Sequence, residues 1–187
     1  MVAISKSLGI EKIIKLALIT VLGTILITIS AKVKIPFYPV PMTMQTFVIL
    51  LIGITFGYKI GVATVTLYLV EGLIGLPVFA SSPEKGIGIA YFIGPTMGYL
   101  IGFLIAVYFA GLFKYDKGII NTFLKLIFSV SFIYILGLIW LGTLIGWDKP
   151  VFKLGAQPFL LAELFKISLL LFLTPILLKT KKLIKII

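Results

Sequence analysis

Glu163 and Lys166 lie three residues apart inside Pro158–Leu178, a stretch that is otherwise apolar enough to cross a bilayer. A charged side chain at bilayer depth costs about 3 kcal/mol on insertion scales, so such residues are kept there for a task. Positions i and i+3 of a helix share a face, and both charges can therefore turn together into a protein interior. A carboxylate accepts hydrogen bonds and an ammonium donates them, so this face can line a site for a small polar ligand. It can equally form an ion pair that only locks helices together, and spacing does not separate the two.

Other groups invite the same question. Thr43 and Gln45 follow Pro41 at the mouth of an apolar segment. A glutamine there both donates and accepts, which suits a urea- or amide-like group, although it also suits a cap or a helix interface. Gly94-Pro95-Thr96 predicts a helix opening with proline in the first turn, where free backbone N–H groups and the positive end of the helix dipole favour an acceptor. Tyr91 and Tyr99 flank that opening and Tyr68 lies upstream; each can be a cavity wall or an interfacial aromatic. Glu71 can face a cavity or reach out to water. Thr20, Thr24 and Thr28 recur every four residues in the first apolar segment, near Ala17 and Gly23, and small side chains on one face permit close helix approach.

The elements that must position these residues follow from composition. The 187 residues are 60% hydrophobic and 12% charged, with mean hydropathy +1.22. Soluble domains are about 45–50% apolar and about 25% charged, so the chain reads as an all-α integral membrane protein with one domain over residues 1–187. With about 20 residues per crossing, that length allows five or six helices. There is no cysteine or histidine, which removes thiolate sites, the commonest metal ligand and the usual general base. No metal or cofactor is expected. The net charge of +11 comes from lysines gathered beside apolar segments, as membrane topology requires, and no nucleic-acid partner is expected. Lys12 and Lys15 open the first segment with no small-residue cleavage pattern after it, so no cleaved leader is expected.

Six spans are predicted at about 13–31, 43–57, 60–75, 95–113, 119–145 and 158–178. The second and third have about 15 residues each and are parted by Tyr58-Lys59, too short to cross a core of about 30 Å upright. They should be shielded by protein, with irregular backbone facing a cavity. An even count puts both termini on one side. Ten lysines fall on that side, five on the other, and Lys125 and Lys166 within spans. The positive-inside rule then places both termini of a multi-pass membrane protein in the cytoplasm. Three loops gather outside: Lys34–Pro41 with its three prolines, which favours an extended ribbon, the long Gly75–Gly94 loop, and Gly146–Gln157. A loop near twenty residues in so small a chain is expected to be functional, often as a lid.

Four motifs in order, PVPMTMQTF (Pro39–Phe47), YLVEGLIGLPVFA (Tyr68–Ala80), GPTMGYLIGF (Gly94–Phe103) and QPFLLAELFK (Gln157–Lys166), resemble the BioY family. That family is the biotin-specific substrate-binding (S) component of energy-coupling-factor transporters. The resemblance implies a six-helix membrane protein that captures biotin at its outer face and pairs with a transmembrane coupling protein and two ATP-binding-cassette ATPase subunits. It implies ligand contacts from Thr43, Gln45, Ser81, the Gly94-Pro95-Thr96 turn with Tyr99, and Glu163 with Lys166. Three departures stand out: Ala162-Glu163 replaces the family's Gly-Asp, Ser81-Ser82-Pro83-Glu84-Lys85 replaces a glycine-rich loop, and Ala17 is followed by Val21 where alanine often stands.

Three functions are weighed. Biotin capture for uptake fits a chamber that offers an amide, an acid, a lysine and aromatic walls. A membrane-embedded enzyme finds no paired aspartates, no histidine or cysteine and no serine elbow. A stand-alone secondary transporter stays open, since the chain has no GxxxxGK[ST] run with which to hydrolyse ATP itself.

Overall fold

The protein is represented by a computed structural model that describes residues 2–35, 38–40 and 42–184. Pro36 and Pro41 of the expected ribbon, and Lys185 of the topology count, lie outside the described residues. The elements in order are α1 (Val2–Lys32), β1 (Lys34–Ile35), β2 (Met42–Thr43), α2 (Gln45–Leu73), α3 (Gly88–Phe92), α4 (Met97–Leu112), α5 (Gly118–Ile145), α6 (Val151–Gly155), a single 3-10 turn (Gln157–Phe159) and α7 (Leu160–Ile184). Strands β1 and β2 pair antiparallel, Lys34 opposite Thr43 and Ile35 opposite Met42. By length and hydropathy, four helical stretches among the described residues can cross a bilayer: Gly9–Lys32, Gln45–Leu73, Gly118–Ile145 and Val151–Lys179, with Met97–Leu112 shorter.

The second of these is not a straight rod. Gly57 has φ 81° and ψ 173° within it, a conformation essentially restricted to glycine because a Cβ would clash with the backbone. Across this residue the chain folds back on itself. A Cβ built on Gly61 would lie 3.6 Å from the Cα of Gly53, whereas eight residues of straight helix span about 12 Å. Gln45 Nε2 donates to Tyr68 OH at 2.8 Å, a pair that a straight helix would hold about 34 Å apart. The result is two arms, 45–56 and 58–73, joined beside Tyr58 and Lys59, as the two short predicted segments anticipate.

Helix α4 packs against both this hairpin and α5. On the α5 side the helices touch through Gly98 and Gly102, where an added Cβ would fall 2.2 Å from the Leu136 carbonyl oxygen and 2.6 Å from Ile133 Cα. Lipid tails are as apolar as leucine, so association inside a membrane relies on such close backbone packing. The buried centre holds Ile49, Leu50, Val65, Tyr68, Leu126 and Leu170, while Ile13, Leu22, Ile119, Ile120 and Phe172 point outward and suit a lipid surround.

Several boundaries differ from expectation. Helix α1 begins before residue 13, and the expected outer loop at 146–157 contains α6. Pro95 is not in the first turn of α4: the helix starts at Met97 with Thr96 as its N-cap, and Pro95 sits in a preceding turn closed by the Met97 N–H on the Gly94 carbonyl at 3.2 Å.

Replacing Gly57 with alanine is expected to cost about 1–3 kcal/mol through strain at that dihedral, whereas Lys59→Ala at the exposed turn should stay within about 0.5 kcal/mol. Denaturant titration of the purified protein in mixed micelles measures both.

Candidate functional site

The first turns of α7 carry Glu163 and Lys166, each only 5% exposed. Lys166 Nζ lies 2.6 Å from Glu163 Oε1 and also donates to Thr46 Oγ1 at 3.1 Å, and the Thr46 hydroxyl donates to the same Oε1 at 2.8 Å. Three groups thus close a triangle that ties α7 to the first arm of α2. A buried ion pair offsets its desolvation only when further hydrogen bonds complete it. Here they do so on one side only. Glu163 Oε2 is buried and makes no hydrogen bond of good geometry within the protein, the Tyr134 hydroxyl being a further group that interacts with this carboxylate. The pair thus joins helices, one of the two readings open in the sequence.

Glu163 lines a cavity with about 560 Å³ free of protein atoms, part of it open to the outside. Seven of the ten expected residues line it: Thr43, Gln45, Tyr91, Thr96, Tyr99, Glu163 and Lys166. Gln45, at the start of α2, is held in place by Tyr68, whose own hydroxyl donates to the Val78 carbonyl at 3.1 Å. Thr43 Oγ1 accepts from the Gln45 backbone N–H and donates to its side-chain oxygen, both at 3.3 Å. Tyr99 offers its ring, because its hydroxyl already donates to the Gly155 carbonyl at 2.8 Å; Tyr134 stands edge-on to it, ring centroids 6.2 Å apart, and faces the Glu163 carboxylate. Leu100, Phe103, Ile133 and Phe159 complete an apolar wall.

Ser81, Gly94 and Pro95 are placed elsewhere. With Lys85 they line an adjoining cavity that shares Tyr91 and Thr96 with the first. The Gly94 carbonyl accepts from Trp140 Nε1 at 2.9 Å. The 75–94 segment arches over this region, with Phe79 stacked on Tyr91 (5.0 Å, 18°) and edge-on to Tyr68 (5.5 Å, 82°). Lys34 lies 2.8 Å from Glu84 and holds that carboxyl below its usual range. Glu71 is half-buried, and the Thr24 hydroxyl of α1 donates to it at 3.0 Å, so it serves the α1–α2 contact.

Thr46 and Tyr134 were not singled out by sequence reasoning. Thr46 carried a weak signal, being the neighbour of Gln45 at the same helix mouth; Tyr134 carried none, lying mid-helix in an apolar run. In chemical terms the site offers one buried carboxylate oxygen, an ammonium with a proton beyond its two protein bonds, an amide and flat apolar walls.

A family model described as the BioY family matches residues 5–183. The chain is 36% identical over 141 residues to a probable biotin transporter BioY of Pyrococcus horikoshii, covering 75% of this chain and 82% of that one. It is 34% identical over 145 residues to the biotin transporter BioY of Thermotoga maritima, covering 77% and 84%. The crystal structure of the S-component for biotin from an ECF-type ABC transporter superposes with a TM-score of 0.75 at 26% identity, over 90% of this chain and 93% of that one.

Lys166→Met should strand the Glu163 carboxylate and cost about 3–5 kcal/mol, and adding Glu163→Gln should recover most of that loss. Thr46→Val should cost about 1–3 kcal/mol. Equilibrium unfolding of the three variants in micelles reads the pattern; an additive double variant would contradict the coupled triangle.

Proposed function

Because the chain belongs to the BioY family, we propose that it is a membrane subunit that captures biotin for uptake, a transport protein and not an enzyme. The observation that carries this reading is Glu163, with an Oε2 that makes no hydrogen bond of good geometry within the protein, in the lining of an apolar-walled cavity. Biotin has a flat ureido ring with two N–H donors and one carbonyl, fused to an apolar ring and extended by a valerate tail. Of its polar groups at neutral pH only the ureido N–H groups can donate, so the ureido ring belongs at Glu163. Lys166 and Gln45 then supply donors to the ureido carbonyl, and Tyr99 with Phe103 covers the fused rings. The tail runs past Tyr91 and Thr96 towards Ser81, Gly94 and Pro95. Thr43 acts by holding Gln45. The longer side chain of Glu163, where the family commonly has aspartate, fills the same role.

In the membrane the chain makes six crossings in this reading: α1, the two arms of α2, α4, α5 and α7. Both termini face the cytoplasm, as the lysine distribution favours, and the cavity opens outward. Having no nucleotide-binding run of its own, the subunit draws energy from a transmembrane coupling protein and ATP-binding-cassette ATPase subunits. What supports this partnership is the likeness to an ECF-type S-component.

Titration of the purified protein with biotin is expected to give a dissociation constant at or below the micromolar range. Glu163→Gln should weaken binding at least tenfold, or about 1.4 kcal/mol, and blocking the ureido N–H groups by alkylation should do the same. Absence of binding at micromolar biotin, or an unaffected Glu163→Gln variant, would contradict the proposal. Uptake by cells that express this chain with no ATPase partner would refute the energising scheme while leaving capture intact.

A further inference from the structure

Lys32, the last residue of α1, and Lys34, which opens β1, both grip the segment that arches over the cavity. Lys32 Nζ donates to the Phe79 carbonyl at 2.8 Å and to the Ser82 carbonyl at 2.7 Å. Lys34 Nζ bonds Glu84 Oε2 at 2.8 Å. Between the two carbonyls held by Lys32 lie Ala80, which lines the ligand cavity, and Ser81, which lines the adjoining one. The Ser81 backbone N–H donates to the Tyr91 hydroxyl at 3.4 Å, and Phe79 stacks on the same tyrosine. The cavity wall in this region is thus short irregular backbone, and the Lys32 ammonium bonds it at two points. Charge-assisted bonds of this kind are about twice as strong as neutral ones.

Helix α1, which ends at Lys32, has 22% of its apolar part buried, against 28% in Val151–Lys179, 33% in α5 and 67% in α2. Lys34 also belongs to β1, whose partner strand delivers Met42 and Thr43 to the same cavity. A small shift of the α1 end therefore disturbs two sides of the site at once.

We infer that Lys32 is a positioning residue for ligand retention: it latches the 79–82 segment shut over the cavity, with Lys34–Glu84 as a weaker outer contact. The inference rests on the cavity being the ligand site, as proposed above. Lys34–Glu84 is weaker because Glu84 is well exposed, and solvent-exposed pairs hold little.

The chain has no cysteine, so a single Ala80→Cys reports opening of the segment through its rate of thiol labelling, with or without ligand. Adding Lys32→Met is expected to speed labelling about tenfold, the effect of shifting a local opening equilibrium by that factor. In the cysteine-free chain, Lys32→Met should raise the biotin release rate about tenfold and change association less than about threefold. Lys32→Arg, which keeps the charge and the donors, should restore both rates to within about threefold of the parent. Unchanged labelling overturns the latch, and so does faster labelling with unchanged release. Faster labelling in a parent protein that binds no biotin supports the latch and sinks the biotin reading instead. Should Lys32→Met not fold, Lys34→Cys with Glu84→Cys joined by a short bis-maleimide is expected to slow release; equal release before and after linking overturns the inference.

Discussion

A carboxylate cannot stay ionised inside a bilayer unless the protein surrounds it with opposite charge and hydrogen-bond donors. Glu163 meets that condition on one oxygen only, through Lys166 and Thr46, and its other oxygen is buried without a hydrogen bond of good geometry. This half-completed shell organises the rest of the molecule. It draws α7 against the first arm of α2 and fixes the polar end of the cavity. It also makes the site most favourable when a donor arrives from outside the chain.

The fold serves that requirement by placing polar groups where lipid cannot reach them. The reversal at Gly57 brings Tyr68 back alongside Gln45, so an amide that would otherwise need water is oriented by a tyrosine from the same hairpin. Close packing of α4 on α5 through Gly98 and Gly102 sets Tyr99 and Tyr134 edge-on, and both line the cavity with Gln45. The 75–94 segment packs beside the cavity through Ala80 and Tyr91. Because its carbonyls are bonded by Lys32, a segment with little regular structure still has a defined position.

What could be read from the amino-acid order depended on whether the signal was local. The shared face of Glu163 and Lys166 follows from three-residue spacing on one helix, and the break between two short helical arms follows from a polar turn at Tyr58-Lys59. The residue that makes the break, Gly57, is one of 18 glycines and nothing local marks it. Thr46 meets Glu163 across 117 positions and Thr24 meets Glu71 across 47; hydroxyls are common enough in apolar helices that such pairings appear only once the helices cross. Ser81, Gly94 and Pro95 were grouped with the others by motif, yet they line a neighbouring space reached past Tyr91 and Thr96. Lys32 entered the sequence reading only as a topology count, and Lys34 as that and as the start of the proline-rich loop. The identity of the ligand came from resemblance, since an acid, a lysine and an amide by themselves specify a hydrogen-bonding ring and no particular vitamin.

The central claim is that Glu163 Oε2 completes its shell with a donor from the bound molecule. A high-resolution structure of the protein with biotin tests it directly. The account predicts a ureido N–H at about 2.7–3.2 Å from Glu163 Oε2, with the Thr46–Glu163–Lys166 triangle intact. Biotin seated with its carboxylate at Lys166, or lodged wholly in the outer cavity while Oε2 stays without a partner, would contradict it.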